Sequence, residues 1–303
     1  MRKRISQYAL LSLAILVLIY AVAVTHPSNV LSRKACTSWG MVKNTMFTLT
    51  HKKHEVYPKL PEGFTVAPGT AEQVPVLMYH YITPKKYNKY PGNESVINLE
   101  AFEQDIDYLH DHGYYTASLS ELEQYVRGQI SLPAKTVVIT FDDGYQNNYI
   151  YAYPILKKYG YKAAIFVIGS KLKEQTQAFD PAKKTYLSKE EMKSAGDVFE
   201  FHSHTYDLHR KGFEKCGVNK AAGQDPSLVE KDIAMMKEKV VDSPYFAYPF
   251  GEKTRQMIYY LQENGYRMAF TVYQGFVKPG DRLMTLKRLT VTSDTDIDKL
   301  LNP

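Results

Sequence analysis

Two adjacent carboxylates, Asp142 and Asp143, followed by Gly144, and two histidines five residues apart, His204 and His209, are of the types that support metal-assisted hydrolysis. Imidazole and carboxylate both bind borderline divalent cations, Zn²⁺ in particular, with Co²⁺ and Ni²⁺ as alternatives. Two histidines and one carboxylate leave coordination positions open for water and substrate. A cation held this way lowers the pKa of water toward about 7 and polarises a carbonyl. The second aspartate can then take the proton of the attacking water. Asp-Asp-Gly alone also suits a capped turn after a strand, and a single histidine is more often a hydrogen-bonded structural group. Only their joint occurrence points to chemistry.

These side chains need elements that bring them together. Val74-Pro75-Val76-Leu77-Met78-Tyr79 is an apolar run of strand length and runs directly into His80. Thr136–Phe141 is β-branched and reads as a buried strand ending at Asp142. Ala163–Ile168, Asp197–Phe201, Tyr245–Phe250, Tyr266–Val272 and Leu286–Val291 are further strand candidates. Asn98 is placed to cap a helix carrying Leu99, Phe102, Ile106 and Leu109, closed by Gly113, and Ser120 with Glu123 has capping-box spacing. A helix through Tyr149, Ala152, Leu156 and Tyr159 stops at Gly160, and helical patterns cover Leu228–Val240 and Thr254–Asn264. Strands alternating with helices predict an α/β fold with a mainly parallel sheet. In such folds reactive groups gather at the carboxyl ends of the strands, so the loops after these strands share one rim.

Three segments carry a family resemblance. Thr140-Phe141-Asp142-Asp143-Gly144 resembles the signature of the polysaccharide deacetylases (the NodB-homology domain of carbohydrate esterase family four), and Ser203-His204-Thr205-Tyr206-Asp207-Leu208-His209 is similar to their metal-binding histidine motif. Ala247-Tyr248-Pro249-Phe250-Gly251 is similar to their groove motif. The likeness covers residues 74–291. It implies a distorted (β/α) barrel of about seven strands that removes N-acetyl groups from a sugar polymer. By motif, Asp142 is then the general base, and Asp143, His204 and His209 hold the metal. The backbone around Tyr145 helps stabilise the oxyanion, while Tyr248, Pro249, Phe250 and Gly251 contribute a groove wall.

Departures from the family pattern narrow the reading. The histidine spacing of five, together with Pro75-Val76-Leu77-Met78-Tyr79-His80, resembles the branch acting on poly-β-1,6-N-acetylglucosamine, an exopolysaccharide of biofilms. The usual late Leu-x-His is missing, and the stretch reads Leu286-Lys287-Arg288-Leu289. The resemblance to that branch implies that His80 protonates the leaving amine instead, its alternative being a ring that donates to a backbone carbonyl. The arginine that commonly precedes the groove motif is also absent, which makes Arg288 the candidate to orient Asp142. Asp207, between the histidines, is expected either to accept a ligand ring N–H or to cap a turn. Strand alternation turns His202 away from the metal, toward its surroundings or solvent. Peptidoglycan or chitin-like oligomers are the competing substrates. A non-catalytic glycan-binding domain on the same scaffold is the competing function.

The 303 residues carry a net charge of +6, which invites a nucleic-acid reading. Residues 1–72 hold nine of the 38 Lys and Arg and three of the 32 acids, leaving 29 of each sign in the remainder. A neutral body lacks the positive field that phosphate binding uses, so nucleic acid is not an expected partner. Arg2-Lys3-Arg4 ahead of the uncharged stretch Tyr8–Val24 reads as a membrane anchor or, with Ala21-Val22-Ala23, a cleaved signal over residues 1–24. Either one exports the rest of the chain. Residues 25–72 read as a linker and 73–303 as the catalytic domain. Cys36 and Cys216 leave a single disulfide open and do not make a metal cluster.

Overall fold

The computed structural model describes residues 58–210 and 226–302. Strand β1 (Val76–Tyr79) has every residue buried, and β5 (Thr136–Asp143) is buried along all but its last position, as expected where both faces of a parallel sheet are covered. Between them lie β2 (Tyr81–Thr83), β3 (Val96–Asn98), helix α1 (Leu99–Asp111), β4 (Tyr115–Thr116) and α2 (Leu119–Val126). After β5 come α3 (Tyr153–Lys158), β6 (Ala163–Val167), α4 (Lys189–Ser194), β7 (Phe199–Ser203), α5 (Pro226–Lys239), β8 (Tyr245–Ala247), α6 (Arg255–Glu263), β9 (Met268–Phe270), β10 (Leu289–Thr290) and α7 (Ile297–Leu301).

Seven strands form a parallel α/β sheet in the order β10-β1-β5-β6-β7-β8-β9, with β4 pairing alongside β5. The segment 286–290 reaches both edges. Leu286 bridges Phe270 of β9, and Leu289 lies opposite Leu77 of β1, so the sheet curls around an interior. Side chains alternate between two cores, as strand geometry dictates. Val76, Val138, Ala164, Phe166, Ala247 and Phe270 fill the inner face, covered by Leu119, Leu122 and Val126 of α2. Leu77, Ile139, Phe141, Ile165 and Val167 face outward onto Phe102, Ile106 and Leu109 of α1 and Leu156 of α3.

Most boundaries differ from the expected ones by one to three residues. The α2 cap sits two residues earlier than its sequence pattern suggested: Ser118 accepts from the Glu121 N–H, and Glu121 returns the bond to the Ser118 backbone. Ser120 and Glu123 lie within the helix, and Glu123 turns inward to pair with Arg127, Arg267 and the Tyr245 hydroxyl. Asn98 occupies the α1 cap position without a side-chain cap bond, because its Oδ1 accepts from Asn88 Nδ2 at 2.9 Å. The strand around His202 begins and ends two residues later than expected, at Phe199–Ser203.

Residues 58–72, at the end of the expected linker, approach the body closely. The Ala71 N–H bonds Leu132 O at 2.9 Å, the Tyr125 hydroxyl bonds Ala71 O at 3.0 Å, and Ala71 is buried. Among the described residues no helix is long and apolar enough to cross a membrane. The Tyr8–Val24 segment, Cys36 and Cys216 lie outside the described residues.

Candidate functional site

Register places the two catalytic segments side by side. Asp142 and Asp143 end β5 opposite Phe166 and Val167 of β6, and Val167 in turn lies opposite Ser203 of β7. The chain then continues as His204, whose N–H bonds Val167 O at 3.0 Å. His204 Nε2 is thereby 3.7 Å from Asp143 Oδ1, and His209 Nε2 is 3.4 Å from the same oxygen. One ligand atom from each of Asp143, His204 and His209 lies within 4.8 Å of the others.

The donor set fits a divalent cation. His204 Nδ1 lies 2.7 Å from Ala247 O, a group that can only accept, so Nδ1 carries the proton and Nε2 presents its lone pair. Burial holds the His204 ring below its ordinary range, at about 4, against the pull of Asp142 and Asp143. It is therefore neutral at neutral pH. Asp143 Oδ1 is buried and accepts no hydrogen bond, the state of a ligand oxygen whose natural partner is a cation.

Backbone strain concentrates here. Three non-glycine residues of the described chain have left-handed φ: Asp143 at 74°, Thr205 at 70° and Phe250 at 57°. All three border the cluster, one within each motif. Such conformations persist only where the surroundings over-determine them, and they gather at functional sites. Gly144 is also left-handed, and a Cβ there would come within 2.9 Å of Val167. The glycine of Asp-Asp-Gly is thus required both by its turn and by the close approach of β6.

Asp142 points into the same cleft and is only 2% exposed. Arg288 Nη1 and Nη2 each donate to one of its oxygens at 2.7 Å. Burial alone would raise the Asp142 carboxyl, but Arg288, with His204 and His80, outweighs it and holds the group well below the usual carboxylate range. Arg288 itself is fully buried. Its Nε donates to Thr271 O, and its guanidinium packs against the contacting rings of Phe166 and Phe270, 5.7 and 5.9 Å from their centres.

His80 Nε2 is 3.8 Å from Asp142 Oδ2. Its Nδ1 has no hydrogen-bond partner, so the alternative of a ring donating to a backbone carbonyl does not hold. Instead the His80 backbone is held, through its carbonyl, by Asn148 Nδ2 at 2.8 Å. Asn147 donates similarly to Ile82 O. Gln146, Asn147 and Asn148 are all buried. Three buried amides directly after Asp-Asp-Gly-Tyr were the sequence signal for this anchoring, and spacing arguments passed over it.

Several expected residues fall elsewhere. Tyr248 is fully buried, its hydroxyl donating to Met284 O at 3.0 Å, because alternation along β8 places it with Phe246 on the face opposite Ala247, packed with Met257 and Leu261 of α6. It forms no groove wall. Pro249 is buried too, whereas Phe250 is 41% exposed and its ring lies 4.5 Å from that of His209. Gly251 is left-handed, and a Cβ there would meet Val272 at 2.4 Å. Asp207 accepts from Ser170 at 2.8 Å and pairs with Arg210, so it holds its own loop and receives no ligand ring N–H. Asp232 supports that loop from α5, accepting the Tyr206 and Asp207 N–H groups. His202 does turn from the metal cluster, but into the interior and away from solvent. Its Nδ1 is 2.5 Å from Ser243 Oγ and its Nε2 is 3.3 Å from Glu200.

Together these groups line a cavity of about 280 Å³, whose wall includes His80, Asp142, Asp143, His204, His209 and Phe250. Glu94, Ser95, Gln274 and Thr290 complete the rim and carried no motif. Tyr145, at the start of the next turn, is buried. Its ring stacks on Tyr186 at 5.0 Å, and the flanking groups bond the segment around Tyr186: Gln146 N–H to Thr185 O and Leu187 N–H to Gly144 O, both 2.9 Å. A buried carboxylate, a triad of ligand type and a histidine beside that carboxylate equip the cavity for hydrolysis of an acyl group.

Comparison with known proteins agrees. A family described as "Polysaccharide deacetylase" matches residues 129–269. The "Putative polysaccharide deacetylase YxkH" of Bacillus subtilis is 30% identical over 226 residues, spanning 73% of this chain and 72% of its own length. A "Poly-beta-1,6-N-acetyl-D-glucosamine N-deacetylase" of Staphylococcus epidermidis is 29% identical over 208 residues, spanning 67% of this chain and 70% of its own. Among solved structures, the Streptococcus pyogenes deacetylase PplD in complex with acetate superposes with a TM-score of 0.62 at 25% identity, covering 77% of this chain and 98% of that one.

Proposed function

Since the chain belongs to the polysaccharide deacetylase family, hydrolases of carbon–nitrogen bonds other than peptide bonds, we propose that its substrate is poly-β-1,6-N-acetylglucosamine and that it works outside the cytoplasm. The linkage is supported by the S. epidermidis relative, which carries that activity in its name, and by the His80 segment. The location is supported by Arg2-Lys3-Arg4 ahead of the apolar stretch Tyr8–Val24. With the residues ahead of the packed 58–72 segment as tether, the catalytic domain then stands at the cell surface.

The observation that carries the reading is the convergence of Asp143, His204 and His209 beside the Arg288-bound Asp142. Those three residues would hold a divalent metal, Zn²⁺ by donor chemistry, which when bound would supply Lewis acidity. Asp142, ionised at any working pH, accepts the proton of the attacking water. Its two bonds to Arg288 keep the carboxylate plane fixed during that transfer. The Tyr145 N–H donates to the oxyanion that develops on the acetamide oxygen. His80, beside Asp142 at the end of the neighbouring strand, delivers a proton to the departing amine. Phe250, exposed at the rim, offers a ring face for the sugar.

The test is acetate release by the full chain, supplied with Zn²⁺ or Co²⁺, from N-acetylglucosamine oligomers of β-1,6 and of β-1,4 linkage. Release confined to the β-1,6 series is the expected outcome. Release confined to β-1,4 oligomers would replace the proposed substrate with a peptidoglycan- or chitin-like one.

A further inference from the structure

Lys184 places its ammonium among three tyrosine rings. Its Nζ is 5.1 Å from the ring centre of Tyr81, 4.5 Å from that of Tyr90 and 5.7 Å from that of Tyr145. The rings come from separate parts of the chain: β2, the loop before β3, and the turn following Asp142-Asp143-Gly144. Tyr81 and Tyr145 also meet edge to face at 5.1 Å. The ring face is the negative side of the aromatic quadrupole, so a cation shared by three rings draws all three together. Among the described ion pairs none joins Lys184 to a carboxylate, which leaves the rings as its electrostatic partners.

The backbone around Lys184 is joined to the same turn. Thr185 O and the Leu187 N–H bond Gln146 and Gly144 on either side of Tyr145. The Tyr81 hydroxyl reaches Lys183 O at 3.3 Å, and Lys89 Nζ reaches Ala182 O at 3.4 Å. The first two bonds hold residues 185–187 against the turn that keeps Asp143 and Gly144 in left-handed conformations, and the last two tie residues 182–183 to β2 and to the loop before β3. Strain of that kind relaxes unless neighbouring structure resists it.

We propose that Lys184 is a positioning residue: its ammonium, exposed on one side and shared by three rings on the other, clamps the 182–187 segment onto the Asp143–Gln146 turn and thereby fixes the direction of the Tyr145 N–H. The inference rests on the reading of that N–H as the oxyanion donor. Lys184 touches neither substrate nor reacting atoms. It acts through Tyr145, and the cost of losing it falls on the transition state more than on ground-state binding.

The experiment compares the full chain with its Lys184→Met and Lys184→Arg variants for acetate release, thermal midpoint and amide exchange at Gln146 and Leu187. Lys184→Met is expected to lower kcat about tenfold with KM within about twofold, to leave the thermal midpoint nearly unchanged and to speed exchange at both amides. Lys184→Arg, which keeps a cation for the rings, is expected to restore most of kcat. A Lys184→Met enzyme with unchanged kcat overturns the inference whatever its exchange rates, as does Lys184→Arg impaired as deeply as Lys184→Met. Should Lys184→Met fail to fold, Tyr90→Leu, at a 45% exposed position, removes the nearest ring and carries the same expectations. If the unaltered chain releases no acetate, the functional reading fails, while the exchange rates still report on the clamp.

Discussion

Arg288 grips Asp142 with two parallel hydrogen bonds of 2.7 Å across 146 residues of sequence, and both side chains are sealed from solvent. The geometry is bidentate, the strongest form of such a pair. Removing the guanidinium leaves an uncompensated charge in the interior. Arg288→Met is therefore expected to cost about 3–5 kcal/mol of stability and to abolish most turnover. Arg288→Lys keeps the charge but loses the fork, and should retain more stability than activity. Denaturant titration alongside acetate release checks both, and an Arg288→Met protein as stable as the parent would refute the account.

Asp142 and Asp143 are neighbours with separate tasks, which substitution should expose. Asp142→Asn keeps an acceptor for Arg288 and leaves the ligand triad whole, so it is expected to bind metal normally with turnover reduced below about one-thousandth. His204→Ala is expected to lose metal affinity by at least about tenfold. Metal content after dialysis and acetate release together decide the matter. An Asp142→Asn protein that comes through dialysis empty would mean that the two aspartates have exchanged roles.

The side chain of His80 has Asp142 as its charged neighbour and no hydrogen-bond partner at Nδ1, so its removal should disturb little of the fold. His80→Ala is expected to slow turnover by about 10²–10⁴-fold, with the thermal midpoint shifted by no more than a few degrees. The loss should shrink for substrates whose leaving amine is less basic. A rate that does not change on substitution would return His80 to a structural role.

Asp105 gives a pH dependence that is independent of the metal site. It is buried on α1, where burial raises its carboxyl to about 7 while the Tyr79 hydroxyl, 3.2 Å away, works in the opposite direction. In the unfolded chain the same group titrates near 4. Between about pH 4 and 7 the native state therefore holds a proton that the unfolded state has lost, and stability falls as pH rises through that window. The contribution is whole below about pH 4 and gone above about pH 7, about 4 kcal/mol in all. Asp105→Asn should flatten this slope in thermal melts between pH 5 and 7.5. Parallel slopes in the two proteins would exclude Asp105 as its source.

The features legible in the sequence came from local chemistry. A carboxylate pair behind a β-branched run, two histidines behind another strand, and alternation of strands with helices are patterns of neighbours along the chain, and the parallel sheet with its triad at one rim is their consequence. Misreadings arose where a residue's environment is made by distant segments. Tyr248 looked like groove wall from its motif, yet the alternation of β8 buries it against Met284. Asp207 sat between two ligands in sequence but answers to Ser170 and Arg210. The α2 cap slid two residues because Glu123 was claimed by Arg267 and Tyr245, more than a hundred positions away.

Residue types and their order therefore determined which groups this protein brings to its cleft: the ligands, the base and the strands that carry them. Partnership was left to the folded chain, because hydrogen bonds and charge pairs are settled by distance in space, and sequence separation says nothing of that. Arg288 reaching Asp142 from the segment that joins the two edges of the sheet, and Lys184 lodging among Tyr81, Tyr90 and Tyr145, exist only once the sheet has curled and brought its edges and loops within contact.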